Sequence, residues 1–95
     1  MSKFDITAQK GFHITFENGW TVSVQFGRGN YCQNYNLSSM APVLGSSDAE
    51  VAAWDAKNKW FEFEDGNSCQ GNMKADEVLA FMNKIAAIEK TGEAS

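Results

Sequence analysis

Two runs of alternating residues early in the chain constrain the fold more than any other feature. Residues 11–16 and 20–26 place an apolar side chain at every second position, the pattern of a strand with one buried face. Between them lies Glu-Asn-Gly at 17–19, which fits a three-residue turn with glycine in its left-handed position. That turn sets Phe16 opposite Trp20 and gathers the apolar side chains on one face, whereas a two-residue Asn-Gly turn would pair each with a polar residue. The sequence therefore predicts an antiparallel hairpin with a continuous apolar face.

Residues 49–64 carry a second alternation and predict a second hairpin. A three-residue turn at 56–58, with Asn58 in the left-handed conformation, sets Asp55 opposite Lys59. In that register one face is apolar and holds Val51, Ala53, Phe61 and Phe63. The other face mixes large aromatics with like charges, in the pairs Trp54 with Trp60, Ala52 with Glu62, and Glu50 with Glu64. Because like charges repel across a strand pair, we do not expect an ordinary core on this face.

The end of the chain predicts one amphipathic helix over residues 75 to about 90. Asp76 and Glu77 fall in its first turn, where the helix dipole favours acidic side chains, and Gly92 follows as a stop signal. Apolar residues recur at spacings of three and four, so one side of the helix is expected to be buried. That stripe is formed by Val78, Leu79, Phe81, Met82, Ile85, Ala86 and Ile88.

The remaining segments lack sustained periodicity. Residues 1–10 contain a short alternation that fits either an extra edge strand or an extended arm. Residues 27–48, which hold the single proline, are predicted to form a long loop, and residues 65–72 a second polar, turn-rich loop. Long loops in small domains are generally functional or mobile. Residues 91–95 are expected to fray.

These elements predict a single α+β domain over residues 1–95, because a chain of this length with 43% apolar residues can bury one core. We expect a four-stranded antiparallel sheet made of two β-hairpins, with the C-terminal helix packed on one face. The face beneath the helix is formed by Phe12, Ile14, Phe16, Val22, Val24, Val51, Phe61 and Phe63.

Charge and composition disfavour several classes of function. The net charge is −4 and no basic stripe is present, so direct binding to nucleic acid is disfavoured. No apolar run has the length of a membrane span, and no secretory signal follows the first residues, so we expect a cytoplasmic protein with no membrane partner. In a reducing cytoplasm Cys32 and Cys69 are expected to be free thiols.

Catalytic and metal sites find little support in the residue pattern. Cys32 could be a thiolate nucleophile with His13 as its base, but the spacing of the two residues does not support such a site. His13 is instead expected to be solvated on its strand. The soft ligands are too few for a closed zinc site, so neither a metal nor a cofactor is expected. Glu50, Glu62 and Glu64 could form a carboxylate pair, although a solvated rim is the simpler interpretation. Glycines 27 and 29 fit a turn leaving a strand better than a phosphate-binding loop.

Trp54 and Trp60 are more informative, because one helix covers only one face of such a sheet. Either the 27–48 loop or the N-terminal arm folds over them as a second small core, or they form an interface with a polar rim. If they are uncovered, the patch can bury itself by two-fold self-association, which added salt would strengthen by screening the nearby acids.

The run Gly-Phe-His-Ile-Thr-Phe-Glu-Asn-Gly-Trp-Thr-Val-Ser-Val-Gln-Phe-Gly at 11–27, followed by Gly-Asn-Tyr-Cys at 29–32, resembles small uncharacterised proteins of phages and prophages. The pairing of residues 49–54 with a helix that begins Asp76-Glu77-Val78 extends this resemblance over most of the chain. That pattern has Ser or Thr before Pro at the helix start, whereas this chain has Lys74-Ala75, which predicts a poorer N-cap. Small phage accessory proteins frequently inhibit or redirect host proteins, including defence systems, so the resemblance implies a binding module in the host cytoplasm.

Two hypotheses of function follow. The first is a non-enzymatic protein-binding module that inhibits a host or anti-phage defence protein through Trp54, Trp60, Glu62 and Glu64. Its partner is another protein or a second copy of the chain. The second is a small ligand- or nucleotide-binding protein, or a small enzyme, that uses the 28–36 loop. The candidate residues of that loop are Arg28, Asn30, Tyr31 and Cys32.

Overall fold

The computed structural model describes residues 2–7, 11–27 and 45–89 and has an α+β architecture, as the sequence predicts. Its elements in chain order are β1 (Lys3–Thr7), β2 (Gly11–Thr15), β3 (Thr21–Gln25), β4 (Ala49–Trp54), β5 (Cys69–Met73) and α1 (Ala75–Ala86). The strands form one antiparallel sheet in the order β1-β2-β3-β4-β5, so the sheet is a meander of five strands and the prediction of four is wrong by one. Most of the predicted 27–48 loop, and the tail at 91–95, lie outside the described residues.

The first hairpin has the predicted register. The amide of Phe16 donates to the carbonyl of Trp20 at 2.8 Å, and the amide of Gly19 donates to the carbonyl of Phe16 at 3.0 Å. Gly19 has a φ of 92°, the left-handed conformation that the three-residue turn requires. Ile14 is paired with Val22, so the alternating apolar side chains of β2 and β3 lie on one face.

The N-terminal segment is an edge strand, which decides between the two alternatives left by the sequence. β1 pairs with β2 in antiparallel register, with Phe4 opposite Ile14 and Asp5 opposite His13. Its alternation therefore continues the two faces of the first hairpin. Phe4 and Ile6 lie on the apolar face, but they remain 70% and 84% exposed.

The second hairpin has the predicted turn but not the predicted continuation. The amide of Asp55 donates to the carbonyl of Lys59 at 2.9 Å, Asn58 has a φ of 66°, and Trp54 is bridged to Trp60. Beyond Phe61, whose amide donates to the carbonyl of Ala53, the chain leaves β4.

Instead of continuing the hairpin, the chain turns at 64–66, and the predicted loop at 65–72 supplies most of β5. Cys69 is paired with Ala52 and Gln70 with Val51, positions assigned to Glu62 and Phe63 in the prediction. The predicted pairing would have set Glu64 directly opposite Glu50, and this like-charge contact is avoided by the switch to β5.

One turn geometry is used three times in the described chain. Like residues 17–19 and 56–58, residues 64–66 close a turn in which an amide donates across the loop, here from Phe63 to Asn67 at 2.8 Å. Its third residue, Gly66, has a φ of 85°. The recurring motif is a three-residue loop that ends in glycine or asparagine, because only these residues adopt the left-handed conformation at low cost.

The helix packs on the apolar face over β3 and β4. Its buried residues are Val78, Phe81 and Ile85, and they meet Val22, Val24, Val51 and Ala53 of the sheet. Phe61 and Phe63 are not in a strand, but their rings pack on Phe81 at centroid distances of 5.5 and 5.2 Å. The helix is shorter than predicted. Leu79 is 55% exposed and Ala86 is also exposed, so the placement of these two residues in the buried stripe is wrong.

The ends of the helix are held by side chains from different parts of the chain. At its start, the Glu77 carboxylate accepts the backbone N–H of Lys74 at 2.8 Å, which compensates in part for the poor N-cap. At its end, the Asn18 carboxamide donates to the carbonyls of Ile85 at 2.8 Å, Ala86 at 3.3 Å and Ile88 at 2.7 Å. The turn of the first hairpin thus satisfies carbonyls that a helix C-terminus leaves without an intrahelical partner.

Candidate binding surface

The face of the sheet opposite the helix carries a cluster of aromatic rings, formed by His13, Trp54 and Trp60, that we call the tryptophan surface. The rings of Trp54 and Trp60 are 4.7 Å apart between centroids and tilted by 36°. The rings of His13 and Trp54 pack edge to face, with centroids 5.1 Å apart and an interplanar angle of 84°. Trp54 and Trp60 oppose each other across a non-hydrogen-bonded pair, the type of pair in which side chains approach most closely. The local turn therefore brings the two indoles together.

Trp60 is the exposed member of this cluster, with 48% of its surface accessible. Trp54 is half-buried between Trp60 and His13, and it fixes the orientation of the outer indole. His13, expected to be solvated, is also half-buried, because its ring lies against Trp54. Trp60 is thus a large apolar side chain that is held in place and still reaches solvent.

The turn that presents Trp60 is held by Asp55. Oδ1 of Asp55 accepts the backbone N–H of Lys57 at 2.9 Å and that of Lys59 at 2.9 Å. Hydrogen bonding from the Lys59 backbone N–H is the main reason that the pKa of Asp55 lies below its ordinary value. The carboxylate is therefore charged at neutral pH and keeps both donors.

Polar side chains occupy the rest of this face. The hydroxyls of Thr15 and Thr21 share a hydrogen bond at 2.9 Å, and the Gln25 carboxamide donates to Ser23 at 3.1 Å. The N-terminal arm, one of the two segments expected to cover the tryptophans, forms strand β1 of the sheet and does not fold over them. The other proposed cover, the 27–48 loop, lies mostly outside the described residues.

The structure separates Glu62 and Glu64 from the register assigned to them. Both are exposed, and neither opposes a residue of β4. With Lys84 they line a surface cleft of about 480 Å³ whose floor is formed by Phe61, Phe63 and Phe81. The ammonium group of Lys84 lies 5.3 Å from the centroid of Phe61. The acids therefore follow Trp60 along the chain, but they line a cleft with residues that pack on the helix, and they do not oppose Glu50 as the prediction placed them.

Cys69 is a free thiol placed near Glu50 on the same face as Trp54. Burial, with the hydrogen bond and negative charge of Glu50 in addition, raises the pKa of the Cys69 thiol. A raised pKa opposes formation of a thiolate nucleophile. The four candidate residues of the 28–36 loop, Arg28, Asn30, Tyr31 and Cys32, lie outside the described residues.

An apolar cleft that the sequence did not suggest lies between the start of α1 and the sheet. It has a volume of about 230 Å³ and is lined mainly by Phe12, Val24, Phe26, Met73 and Val78. It lies where the start of the helix meets the apolar face, between β2 and β3 on one side and residues 46–49 and β5 on the other. Ligand pockets are usually about 300–1,000 Å³. This cleft is smaller and is better described as a gap at the edge of the core.

Among the residues described, histidine, cysteine, aspartate and glutamate side chains form no group of three or more that could hold a metal ion. No helix within the described ranges is long and apolar enough to cross a membrane. Comparison of the chain with protein-family models, with curated proteins and with solved structures found no match.

Proposed function

We propose that the protein is a small, non-enzymatic protein-binding module whose tryptophan surface contacts the partner. The observation that carries the proposal is Trp60, a large indole that is 48% exposed and packed against Trp54 at 4.7 Å. Tryptophan is enriched among residues that dominate binding energy, and a side chain already ordered in the free protein loses little entropy on binding. Trp60 is therefore the proposed anchor.

The charge of the segment that follows this anchor supports a choice of partner chemistry. Glu62 and Glu64 are exposed and follow Trp60 at alternate positions, and the chain has a net charge of −4. A second copy would bring the same acids against them, whereas a partner with basic residues around an apolar pocket would be attracted. We therefore propose a different protein as the partner of the tryptophan surface.

The resemblance to small phage proteins supports a host protein as that partner, with proteins of bacterial defence as the class to examine first. In this proposal the chain acts in the host cytoplasm and inhibits its target by occupying a surface. The mechanism requires no bond to be made or broken, because steric occupation of a functional surface is enough.

The experiment is capture of partners from bacterial lysate by the tagged chain, compared with Trp60→Ala and with Leu79→Ala. Leu79 is the matched control, because it is an apolar side chain of similar exposure, 55%, on the helix at the other side of the sheet. We expect a specific protein captured by the wild type and by Leu79→Ala, and lost with Trp60→Ala. The affinity for that protein should fall with rising salt, because the proposed rim contacts are charged.

Equal loss in both variants, or retention by Trp60→Ala, would remove the tryptophan surface from the proposal. The competing hypothesis of a ligand-binding protein has a separate test, a thermal-shift screen with nucleotides and common metabolites. A ligand at one hundred times its dissociation constant stabilises a protein by about 2.7 kcal/mol. A clear shift with one nucleotide would favour the competing hypothesis.

A further inference from the structure

The open edge of β1 forms a second surface, independent of the tryptophan surface. β1 is the first strand of the sheet, and no described strand pairs with its outer side. Phe4 is 70% exposed and Ile6 is 84% exposed, although both point to the apolar face. The Phe4 ring packs against Phe12, with the two ring centroids 6.0 Å apart and the ring planes at 63°. Open edge strands with exposed apolar side chains favour pairing with another strand.

The backbone groups available at this edge follow from the first hairpin. Phe16 and Trp20 form a hydrogen-bonded pair, and such pairs alternate along antiparallel strands. Ile14 and Val22 therefore also form a hydrogen-bonded pair. The backbone N–H and C=O of His13, between them, consequently point to β1. Asp5 is the residue that meets His13. The backbone N–H and C=O groups of its neighbours, Phe4 and Ile6, consequently point away from β2 and into solvent.

We propose that β1 pairs antiparallel with β1 of a second copy, about a two-fold axis at Phe4, to form a continuous ten-stranded sheet. Phe4 then opposes its own copy in a hydrogen-bonded pair, with both rings on the apolar face. Ile6 opposes Ser2 of the second copy. This interface is distinct from the tryptophan surface and does not depend on the proposed function.

Charge selects this register over its neighbour. In the proposed register Lys3 lies directly opposite Asp5 of the second copy, in a non-hydrogen-bonded pair where side chains approach closely. Lys3 and Asp5 already form an ion pair within the strand at 3.7 Å, so the dimer extends it to a ladder of alternating charges. A shift of the axis to Asp5 would set that carboxylate opposite its own copy, which is repulsive.

Hydrogen bonding does not reverse that choice. In the free chain the backbone N–H of Ser2 donates to the Glu17 carboxylate at 3.0 Å, so it is not available to a second copy. Without it, the register centred on Phe4 and the register centred on Asp5 offer the same number of backbone hydrogen bonds between the described residues. The charges of Lys3 and Asp5 therefore decide between them.

The test is sedimentation equilibrium of the wild type and of charge variants. We expect Lys3→Glu and Asp5→Lys each to weaken self-association about tenfold or more, because each replaces two attractive pairs with two repulsive ones. The double variant restores the opposite-charge pairs and should recover wild-type affinity. Added salt should weaken the wild-type dimer, the opposite of the dependence expected for self-association through the tryptophan surface.

A second measurement reports which edge pairs, and Asp5→Asn then separates the two registers. In concentration-dependent amide exchange, Phe4 and Ile6 should gain protection as the dimer forms, whereas Asp5, bonded to β2 in the single chain, should not change. Asp5→Asn should weaken the proposed dimer, and a tighter dimer would overturn this register in favour of the one centred on Asp5. A wild type that stays monomeric at high micromolar concentration, or a double variant as weak as the single ones, would overturn the proposal.

The outcome is separable from that of the proposed function. Trp60→Ala leaves the β1 edge intact and should leave self-association unchanged, while Lys3→Glu should leave capture of the partner unchanged. Loss of self-association in Trp60→Ala would assign the dimer to the tryptophan surface and overturn the β1 proposal. Growth of long fibres would show pairing of β1 with a different edge and would also overturn it.

Discussion

The turns at 17–19 and 56–58 share one backbone geometry and lie side by side, yet they serve the molecule differently. A side-chain carbon added to Gly19 would lie 3.4 Å from the Cβ of Ala56. The first turn is tied to the end of the helix through Asn18. The second is held by Asp55, on its own strand, and presents Trp60 to solvent. The same local structure can therefore complete a core or present a side chain, depending on whether its polar residue bonds to another element.

The largest expected effect is on the core that the first turn helps to close. Ile85 is fully buried, with 0% exposure, and its carbonyl accepts a hydrogen bond from Asn18. We expect Ile85→Ala to lower the free energy of unfolding by about 2–5 kcal/mol, the usual range for truncation of a buried aliphatic residue. Leu79→Ala, on the same helix, should cost about 0.5 kcal/mol or less. If urea unfolding gave similar losses of stability for the two variants, the structure would have the wrong side of the helix facing the sheet.

A smaller loss of stability is expected when only the hydrogen bonds between the first turn and the helix are removed. Asn18→Ala removes the side-chain donor from the carbonyls of Ile85 and Ile88, although the Ile85 carbonyl still accepts the N–H of Ile88, and should cost about 1 kcal/mol. Asn18→Asp keeps the oxygen that accepts the Trp20 N–H, but it places an anion at the negative end of the helix. It should therefore be at least as destabilising as alanine by urea unfolding. A stable Asn18→Asp variant would show that the turn itself, and not the hydrogen bonds from Asn18 to the helix, contributes the stability.

The smallest effect concerns the second turn and its pH dependence. The pKa of Asp55 in the folded protein lies below its ordinary value of 3.8, mainly through the Lys59 backbone N–H. Its stabilisation is therefore complete above that ordinary value and is lost as the pH falls through the folded-state pKa. Near-ultraviolet circular dichroism of the paired tryptophans should report this loss in the wild type. Asp55→Asn, which lacks the charge, should remove that step, and an unchanged titration would contradict the role of Asp55.

The two hairpins also differ in how much of their strand pairing could be predicted from sequence. Alternation and the Glu-Asn-Gly turn were sufficient for the first hairpin, because its cross-strand pairs agree with the turn on both faces. The second turn was predicted equally well, but pairing beyond Phe61 depends on Glu64 and Glu50, which repel. β5, Cys-Gln-Gly-Asn-Met, has no alternation, and it forms a strand because the edge of β4 is available to it.

Parts of the candidate surfaces were beyond sequence patterns. The pairing of Trp54 with Trp60 followed from the turn, but the contact of Trp54 with His13 required the neighbouring strands to be in place. Phe4 and Ile6 carry the signature of buried residues, and their exposure results from the position of the helix over β3 and β4. Asn18 has an ordinary turn sequence, and nothing local indicates that it meets a helix 67 positions away.

The most direct test of the difference between the two turns is amide hydrogen exchange in the wild-type chain at low concentration. We predict that the amides of Phe16 and Gly19 exchange only with an opening energy close to that of global unfolding, because Asn18 in their turn is hydrogen-bonded to the end of the core helix. The amides of Asp55 and Asn58 have equivalent hydrogen bonds, but they should exchange through local opening at clearly lower energy. Equal protection of the two turns would contradict the account, since the second turn would then belong to the cooperative core.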